Sequence, residues 1–266
     1  MGFEASVGAG NFIVSSRRKM PPPDIAAPLD RLISRLSRHS LLKDKARDAA
    51  VGLKLRPHFW SAKQLIVGGD TGARFMLILS GMVSSFEETR SGQRQIVALH
   101  LPGDLANVAT SPAPEGDLQL EALTDSWVVE IAVADLKTRL LEPSALAGVL
   151  WREASHDARV LAKWVANRGR KSAISRLAHL LCELACRHEQ TASPSILAFD
   201  LSMTQQQLAD ALAMTAVHVN RELQKLRREK VIRTHHRLIE ILDWNALTSI
   251  GEFDPRYLGW PVLGKR

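Results

Sequence analysis

The stretch Met203–Arg228, MTQQQLADALAMTAVHVNRELQKLRR, decides the fold of the last third of the chain. Thr204 is placed to cap a helix over residues 205–212, because threonine favours the position before the first helical turn. Thr215 is placed to cap a second helix after a tight corner at residues 213–214. Two short helices joined by so short a corner predict a helix-turn-helix.

Helical spacing separates an inner and an outer face in this motif. The second helix projects Ala216, Val217 and Arg221 outward from its N-terminal half. Arginine can donate two parallel hydrogen bonds to guanine, and small apolar residues can touch a thymine methyl group. These three residues are therefore predicted to read bases in a major groove. The predicted inward residues are Leu208, Ala209, Leu212, Val219, Leu223 and Leu226.

Polar and basic residues surround this predicted reading surface. Short polar donors near helix N-termini suit phosphate oxygens, and basic residues add affinity that depends on salt. Alternating apolar residues over 231–233 and 238–242 predict a hairpin wing after the second helix. The residues predicted to contact DNA phosphates are Thr204, Gln205, Gln206, Thr215, His218, Lys225 and Arg227.

Positive charge is concentrated around the same motif. The 266-residue chain has a formal net charge of +7. Residues 168–237 hold 12 Lys/Arg against 6 Asp/Glu, and residues 215–237 hold 7 against 2. A solvated basic face is the alternative, but the coincidence with the helical corner favours double-stranded DNA as the partner.

Residues 50–133 alternate short apolar runs with turn signals, which predicts an antiparallel β-roll of the jelly-roll type. Gly81 and Gly92 stand at two of the bends, where a positive φ is expected. The predicted strands are 64–67, 75–79, 82–86, 95–99, 118–123 and 127–133.

The apolar period becomes helical from Pro143 onward. A long helix with a narrow apolar seam often pairs with a copy of itself, so a homodimer is predicted. Packing of the same stripe against the chain's own β domain is the alternative. Residues 168–171 are expected to form a hinge after this helix. The residues of the predicted dimer seam are Leu146, Leu150, Ala154, Leu161 and Trp164.

The chain is thus predicted to be an α+β protein with five regions. These are a flexible tail (1–28), a β-roll sensor domain (29–142), a dimerisation helix (143–169), a winged helix-turn-helix (170–247) and a C-terminal tail (248–266). A helix is also expected over residues 30–48, from its apolar spacing. Met20, just before three prolines, is an alternative translation start to Met1.

With these motifs in this order, the chain resembles the Crp/Fnr family of bacterial transcription regulators over roughly residues 30–245. The resemblance rests on FMLILSGMVSSF (75–86), LHLPGDL (99–105), NRGRKSAISRLAHLLCEL (167–184) and the stretch 204–232. It implies a cyclic-nucleotide-binding-like β-roll, a dimerising helix and a C-terminal winged helix. It also implies a homodimer on a pseudo-palindromic DNA site, with half-sites about 10–10.5 bp apart.

The resemblance also assigns individual positions. Arg221 matches the family's base-reading arginine, and Ala216 and Val217 match the two base-facing positions before it. Ala213 stands where a glycine often makes the corner, so left-handed strain is expected there. Glu222 stands where the family usually has an apolar residue.

The family's known effectors fit this sequence poorly. Its cyclic-nucleotide pocket has a Gly-Glu turn and a downstream arginine, whereas here Gly103-Asp104 is followed by no Arg or Lys before Asp135. An unneutralised phosphate would be costly there, so cAMP is disfavoured. The iron–sulfur branch needs N-terminal cysteines, and no cysteine precedes Cys182. The cofactor or effector, if one exists, is left unknown.

Other chemistry has little support in the sequence. Cys182 and Cys186 suit helix packing, with a redox or metal role as the alternative, and two cysteines fit a reducing cytoplasm. His235 and His236 suit a phosphate contact or solvent, with haem ligation by a histidine left open. No phosphate loop, nucleophile–base pair or metal spacing is present, so no catalytic or metal residue is predicted and an enzyme is disfavoured.

Two further questions concern partners. The sequence contains no run of about 18 apolar residues, so no membrane span is predicted. Activation of transcription would need a surface for RNA polymerase, a possible further partner, and no local pattern identifies it. The competing function is a ligand-binding module whose helical corner docks on another protein.

Overall fold

The computed structural model describes residues 21–28, 30, 55, 57–66, 74–106, 118–132, 143–189, 191, 194 and 197–259. No helix within these ranges combines the length and hydropathy that a membrane span requires. Most of the tail predicted over 1–28, most of the helix predicted over 30–48 and the choice between Met1 and Met20 lie outside the described residues.

The N-terminal half is the predicted antiparallel β-roll. Its strands pair into two four-stranded sheets, ordered β1-β8-β3-β6 and β2-β7-β4-β5. Strands β1 and β6 were not predicted, because they are short and lack a run of apolar residues. The strands are β1 (Pro57–Trp60), β2 (Leu65–Ile66), β3 (Arg74–Ser80), β4 (Val83–Glu88), β5 (Arg94–His100), β6 (Leu105–Ala106), β7 (Gln119–Ala122) and β8 (Ser126–Ala132).

Strand β3 is buried on both faces. Phe75 and Leu77 pack into one apolar cluster, and Met76 and Ile78 pack into another. This division follows from the two-residue period of a strand, which sends neighbouring side chains to opposite faces. The turn after β3 needs glycine, because Gly81 has φ +83° and a Cβ there would collide with the Ser126 hydroxyl.

Two helices connect the β-roll to the C-terminal half: α1 (Pro143–Arg170) and α2 (Ala173–Glu189). The break between them lies at Lys171 and Ser172, at the end of the predicted hinge, and Gly169 is still helical. The Ser172 hydroxyl accepts a hydrogen bond from the Ser175 backbone N–H at 3.3 Å, which helps to begin α2.

The C-terminal half is the predicted winged helix-turn-helix. Strands β10, β11 and β9 form a three-stranded sheet in that order, with both pairs antiparallel. The predicted fold class is therefore confirmed. The elements are β9 (Ala198–Asp200), α3 (Gln205–Leu212), α4 (Ala216–Arg228), β10 (Ile232–His235), β11 (Leu238–Ile241), α5 (Trp244–Gly251) and a 3-10 helix (Pro255–Leu258).

The C-terminal tail predicted over 248–266 is wrong for its first part. Residues 248–259 complete α5, which packs against α2, and form the 3-10 helix, which packs against α1. Gly251 permits this approach, because a Cβ there would lie 2.8 Å from the His179 backbone nitrogen. Leu258 is buried, so this segment belongs to the core. Residues 260–266 lie outside the described residues.

Candidate nucleic-acid interface

The corner between α3 and α4 is built from two capped helix ends. Thr204 and Gln207 form a reciprocal capping box at the start of α3. Thr215 caps α4 by accepting a hydrogen bond from the His218 backbone N–H at 3.3 Å. Between them, Ala213 adopts the left-handed conformation (φ 51°, ψ 53°), as the resemblance led us to expect. The corner therefore carries backbone strain that a glycine would not.

The inner face of α4 fixes the helix against the domain. Val219 and Leu226 are fully buried in the main core, and Leu223 packs against it. Glu222 is also buried, where the family usually has an apolar residue, and its carboxylate lies 3.3 Å from Arg221 Nε. This contact offsets part of the cost of burying the carboxylate.

The outer face of α4 presents a mixed apolar and polar surface. Val217 is 78% exposed, and the side chain of Arg221 is 68% exposed. Ala216 is half-buried against the core, so it projects outward less than the helical spacing predicted. Gln224, which the sequence analysis missed, is exposed one turn beyond Arg221. The helical spacing could have identified Gln224 as a base-facing candidate, since Val217, Arg221 and Gln224 share one helical face.

The residues predicted to contact phosphates line the exposed start of each helix. Thr204, Gln205 and Gln206 are exposed at the start of α3, and Thr215 and His218 at the start of α4. The Thr204 and Thr215 hydroxyls accept capping hydrogen bonds, which leaves their own protons available for donation.

The basic residues continue this surface toward the wing. Lys225 and Arg227 are exposed on α4, and Arg227 Nη1 donates to the Thr234 hydroxyl at 2.9 Å, which ties the helix to the wing. The predicted wing is the β10–β11 hairpin, and its turn exposes His235 and His236. The proposed DNA contacts of all these residues stay predictions.

Known transcription regulators are similar to this chain in sequence. Residues 175–250 match the model of a Crp-like helix-turn-helix domain. A nitrogen fixation regulation protein FixK from Azorhizobium caulinodans is 28% identical over 201 residues, which cover 75% of this chain and 80% of that protein. The fumarate and nitrate reduction regulatory protein of Vibrio cholerae is 27% identical over 189 residues, 71% of this chain and 75% of that protein.

A solved structure agrees with these relatives. The structure of FixK2 from Bradyrhizobium japonicum superposes with a TM-score of 0.65 at 25% identity, covering 74% of this chain and 98% of that one. The matched domain, these relatives and this structure together support the assignment of the chain as a regulator of the Crp/Fnr type. It is a transcription regulator of the Crp/Fnr type with a helix-turn-helix DNA-binding domain, and it is not an enzyme.

The residues predicted to form the dimer seam of this Crp/Fnr-type regulator lie on α1 in different surroundings. Leu150 and Ala154 pack against the β-roll cluster, as the alternative for this stripe proposed. Trp164 is only 5% exposed, and its Nε1 donates to Glu183 Oε2 at 2.9 Å. Leu150 and Ala154 thus contact the β-roll, and Trp164 contacts α2. Leu161 remains exposed, and the side chain of Leu146 lies outside the described part of the chain.

Another face of α1 is apolar and open to solvent. Trp151 is 75% exposed, Val165 is 59% exposed and Leu161 is 44% exposed, and exposed Ala158 lies between them. The positions 151, 158 and 165 repeat every seven residues, with 161 in the intermediate place. This heptad spacing is typical of a helix that pairs with another helix.

A cavity of about 230 Å³ lies between the β-roll and α1. Asp104, which stands where the family's cyclic-nucleotide pocket has the glutamate of its Gly-Glu turn, lines it. Its Oδ2 lies 2.7 Å from Arg187 Nη2, so an arginine from α2 already binds this carboxylate. Ser85 and His100 also line the cavity and are joined by a hydrogen bond of 2.7 Å.

A buried polar network continues from Arg187 into the C-terminal half. Arg187 Nη1 lies 3.2 Å from Glu183 Oε1, and Glu183 Oε2 accepts from the Tyr257 hydroxyl at 2.6 Å. The Tyr257 hydroxyl oxygen in turn lies 3.2 Å from His179 Nε2. Burial, together with the nearby Lys171 ammonium, lowers the pKa of His179 to about 3, so this imidazole is neutral.

The two cysteines lie inside the same helix. Cys182 and Cys186 are both buried, and neither forms a disulfide. Burial raises the pKa of both, that of Cys186 to about 12. Such thiols are poor nucleophiles and poor metal ligands at neutral pH, which favours the packing role. Among the residues that the structure describes, no cluster of His, Cys, Asp or Glu is arranged to hold a metal ion.

Proposed function

We propose that this regulator binds a pseudo-palindromic site in double-stranded DNA as a homodimer, with α4 in the major groove. Arg221 would read guanine, Val217 would contact a base edge and Gln224 would add a further base contact. Thr204, Gln206, Thr215 and Lys225 would hold the phosphates.

One observation carries this proposal. The core holds α4 through Val219 and Leu226, yet the same helix leaves Val217 and Arg221 exposed on one continuous face. A buried inner face with an exposed cation and an exposed apolar side chain suits direct readout, because the helix is rigid before it meets a groove. Glu222 engages Arg221 through Nε, which leaves both Nη atoms for a guanine.

The homodimer is supported by the open apolar stripe of α1, defined as Trp151, Ala158, Leu161 and Val165. This stripe replaces the seam predicted from the sequence and retains only Leu161 from it. Two such stripes would bury the large side chains that α1 exposes. The symmetric dimer would then place one α4 over each half-site, about one DNA turn apart.

The DNA proposal is tested by selecting a binding site from a randomised duplex library and measuring affinity by fluorescence anisotropy. Arg221→Ala should reduce discrimination at one base pair of each half-site by about 1–3 kcal/mol. Arg221→Lys keeps the charge but loses the paired hydrogen bonds, so its selectivity should fall while most of its salt dependence is retained. Arg256→Ala, which removes an exposed arginine of the 3-10 helix, is the control.

Unchanged selectivity in Arg221→Ala would reject the role of this residue. Wild-type protein that selects no DNA site, or binds with little salt dependence, would instead favour the docking module on another protein.

The dimer is tested separately by sedimentation. Val165→Glu places a charge in the apolar stripe and should shift the dimer toward monomer. Arg170→Gln makes the same change of one charge unit on the opposite side of α1, and it should leave the dimer intact. Native mass spectrometry of the wild-type protein reports the dimer mass together with any ligand retained in the cavity beside α1.

A further inference from the structure

Strand β5 is the outer strand of the sheet β2-β7-β4-β5. The outward carbonyl groups of an edge strand lack a strand partner and need one when they are covered. The register of β4 and β5 shifts between Ser85 and Phe86, and Val97 is the extra residue. Carbonyl directions alternate along a strand, so Ile96 and Leu99 would face opposite edges in a regular strand. The extra residue lets both carbonyls face outward.

Arg168 covers the first of these carbonyls. Its Nη2 donates to the Ile96 carbonyl at 2.5 Å and to the Ala211 carbonyl at 3.0 Å. Its guanidinium also lies over the Trp164 ring, 5.2 Å from the centroid. Ala211 lies at the carboxyl end of α3, where a positive charge interacts favourably with the helix dipole. One side chain therefore joins the β-roll, the end of α1 and the first helix of the helix-turn-helix.

Arg187 covers the second carbonyl. Its Nη2 donates to the Leu99 carbonyl at 2.6 Å, in addition to the contact with Asp104 described above. Gln95, on β5 itself, also joins the two halves. Its Nε2 donates to the Ile96 carbonyl at 2.9 Å and to the Asp210 carbonyl of α3. The DNA-binding half thus takes the place of a neighbouring strand along β5.

We propose that the outer edge of β5 is the docking site that orients the winged helix, with Arg168 and Arg187 as its positioning residues. This inference rests on the proposed function, because its consequence is the spacing of two recognition helices in a dimer. Helix α1 ends at Arg170, and two non-helical residues, Lys171 and Ser172, separate it from α2. Without the docking contacts, the break would let each winged helix move relative to the dimer stripe.

This arrangement separates full-site binding from half-site binding. A full site needs both α4 helices at one fixed separation, whereas a half-site needs only one. Loosening the docking site lowers the effective concentration of the second α4 at its half-site. Arg168→Ala should therefore weaken binding to the full palindrome on the order of tenfold. Affinity for an isolated half-site should stay close to that of wild type.

The matched control is Arg170→Ala, which removes an exposed arginine two residues away. It should leave both affinities near wild type. Arg168→Lys and Gln95→Ala provide a second test. The first keeps the charge with a single nitrogen and the second removes a neutral donor, so each should weaken full-site binding more than half-site binding. Thermal unfolding of each variant shows whether it is folded. Equal losses at the full site and the half-site in the folded variants would reject a positioning role.

The orientation itself is measured without DNA. Spin labels at Ser91→Cys in the β4–β5 turn and Gln224→Cys on α4 report the distance between the two halves. Dilution with unlabelled chain leaves one labelled protomer per dimer. Buried Cys182 and Cys186 should take little label because their pKa values are raised.

The wild-type protein should give one narrow distance distribution, and Arg168→Ala should give a broader or shifted one. An unchanged distribution in a folded Arg168→Ala or Arg168→Lys protein would overturn the inference. A wild-type protein that binds no DNA would reject the proposed function, while the distance measurement would still decide the role of Arg168.

Discussion

The outer face of α4 and the edge of β5 use arginine in opposite ways. Arg221 extends into solvent from a helix that is otherwise fixed by the core. Arg187 has a side chain only 13% exposed, and it binds Asp104, Glu183 and the Leu99 carbonyl. Removal of the exposed arginine should cost the fold less, because it takes away one contact, that with the Glu222 carboxylate. Removal of the buried arginine should cost more, because Asp104, Glu183 and the Leu99 carbonyl would all lose this donor.

The largest expected effect tests the buried side of this comparison. Arg187→Met should lower the free energy of unfolding by about 3–5 kcal/mol, because it removes the cation that pairs with the buried Glu183 carboxylate. Urea unfolding followed by circular dichroism measures the loss. The double variant Arg187→Met/Glu183→Gln should recover a large part of it, since it removes the uncompensated charge. A loss below 1 kcal/mol in the single variant would show that the pair contributes little.

The next effect depends on pH. The pKa of His179 is lowered in the folded state to about 3, from an ordinary value near 6.5. The unfolded chain therefore binds more protons between these values, and stability should fall as pH drops below about 6.5. This group should account for about 2 kcal/mol of the loss at pH 5 relative to neutral pH. The His179→Gln variant should show a flatter pH profile of the unfolding free energy between pH 7 and 5, and a parallel profile would contradict this origin.

The corner between the two helices should respond to glycine in a smaller and opposite direction. Ala213→Gly should raise the free energy of unfolding by about 1 kcal/mol, because glycine adopts the left-handed conformation without the Cβ clash. Ala211→Gly, within α3, should destabilise by about 1 kcal/mol or more and serves as the control. If both variants are destabilising, the corner is not strained in the way that φ indicates.

The smallest expected effect concerns the exposed face of α4. Lys225→Ala should reduce the slope of log affinity against log salt by about 0.9, because one phosphate contact is lost. Its selectivity among DNA sites should not change, since a phosphate contact carries no sequence information. Arg256→Ala should leave the slope unaltered. A selectivity change in Lys225→Ala would instead place this side chain against a base.

Local pattern was sufficient for the helix-turn-helix. The caps at Thr204 and Thr215 and the inward positions Val219 and Leu226 are set within a few residues of one another, and the structure confirms them. The β-roll was also predictable, since apolar runs between turn residues mark strands. Gly81 and Gly92 have the positive φ expected at its bends.

Pattern failed where one stripe of residues had several possible partners. Leu150, Ala154, Leu161 and Trp164 share a helical spacing, yet they contact the β-roll, solvent and α2 in turn. Periodicity identifies an apolar face but does not identify what covers it. Residues 248–259 were missed for a related reason, because their burial depends on the close approach of Gly251 to α2.

The sequence by itself determined the two-helix corner, its exposed arginine and the division into a β-roll, a long helix and a winged helix. These features follow from contacts between residues close in the chain, which spacing and capping preferences report directly. Only the tertiary structure decided that Arg168 and Arg187 bind the edge of β5, and that the open stripe of α1 runs through Trp151 and Val165. The arginine contacts join residues far apart in the chain and include backbone carbonyls, which no residue type reveals. The open stripe depends on which side chains of α1 the rest of the chain covers.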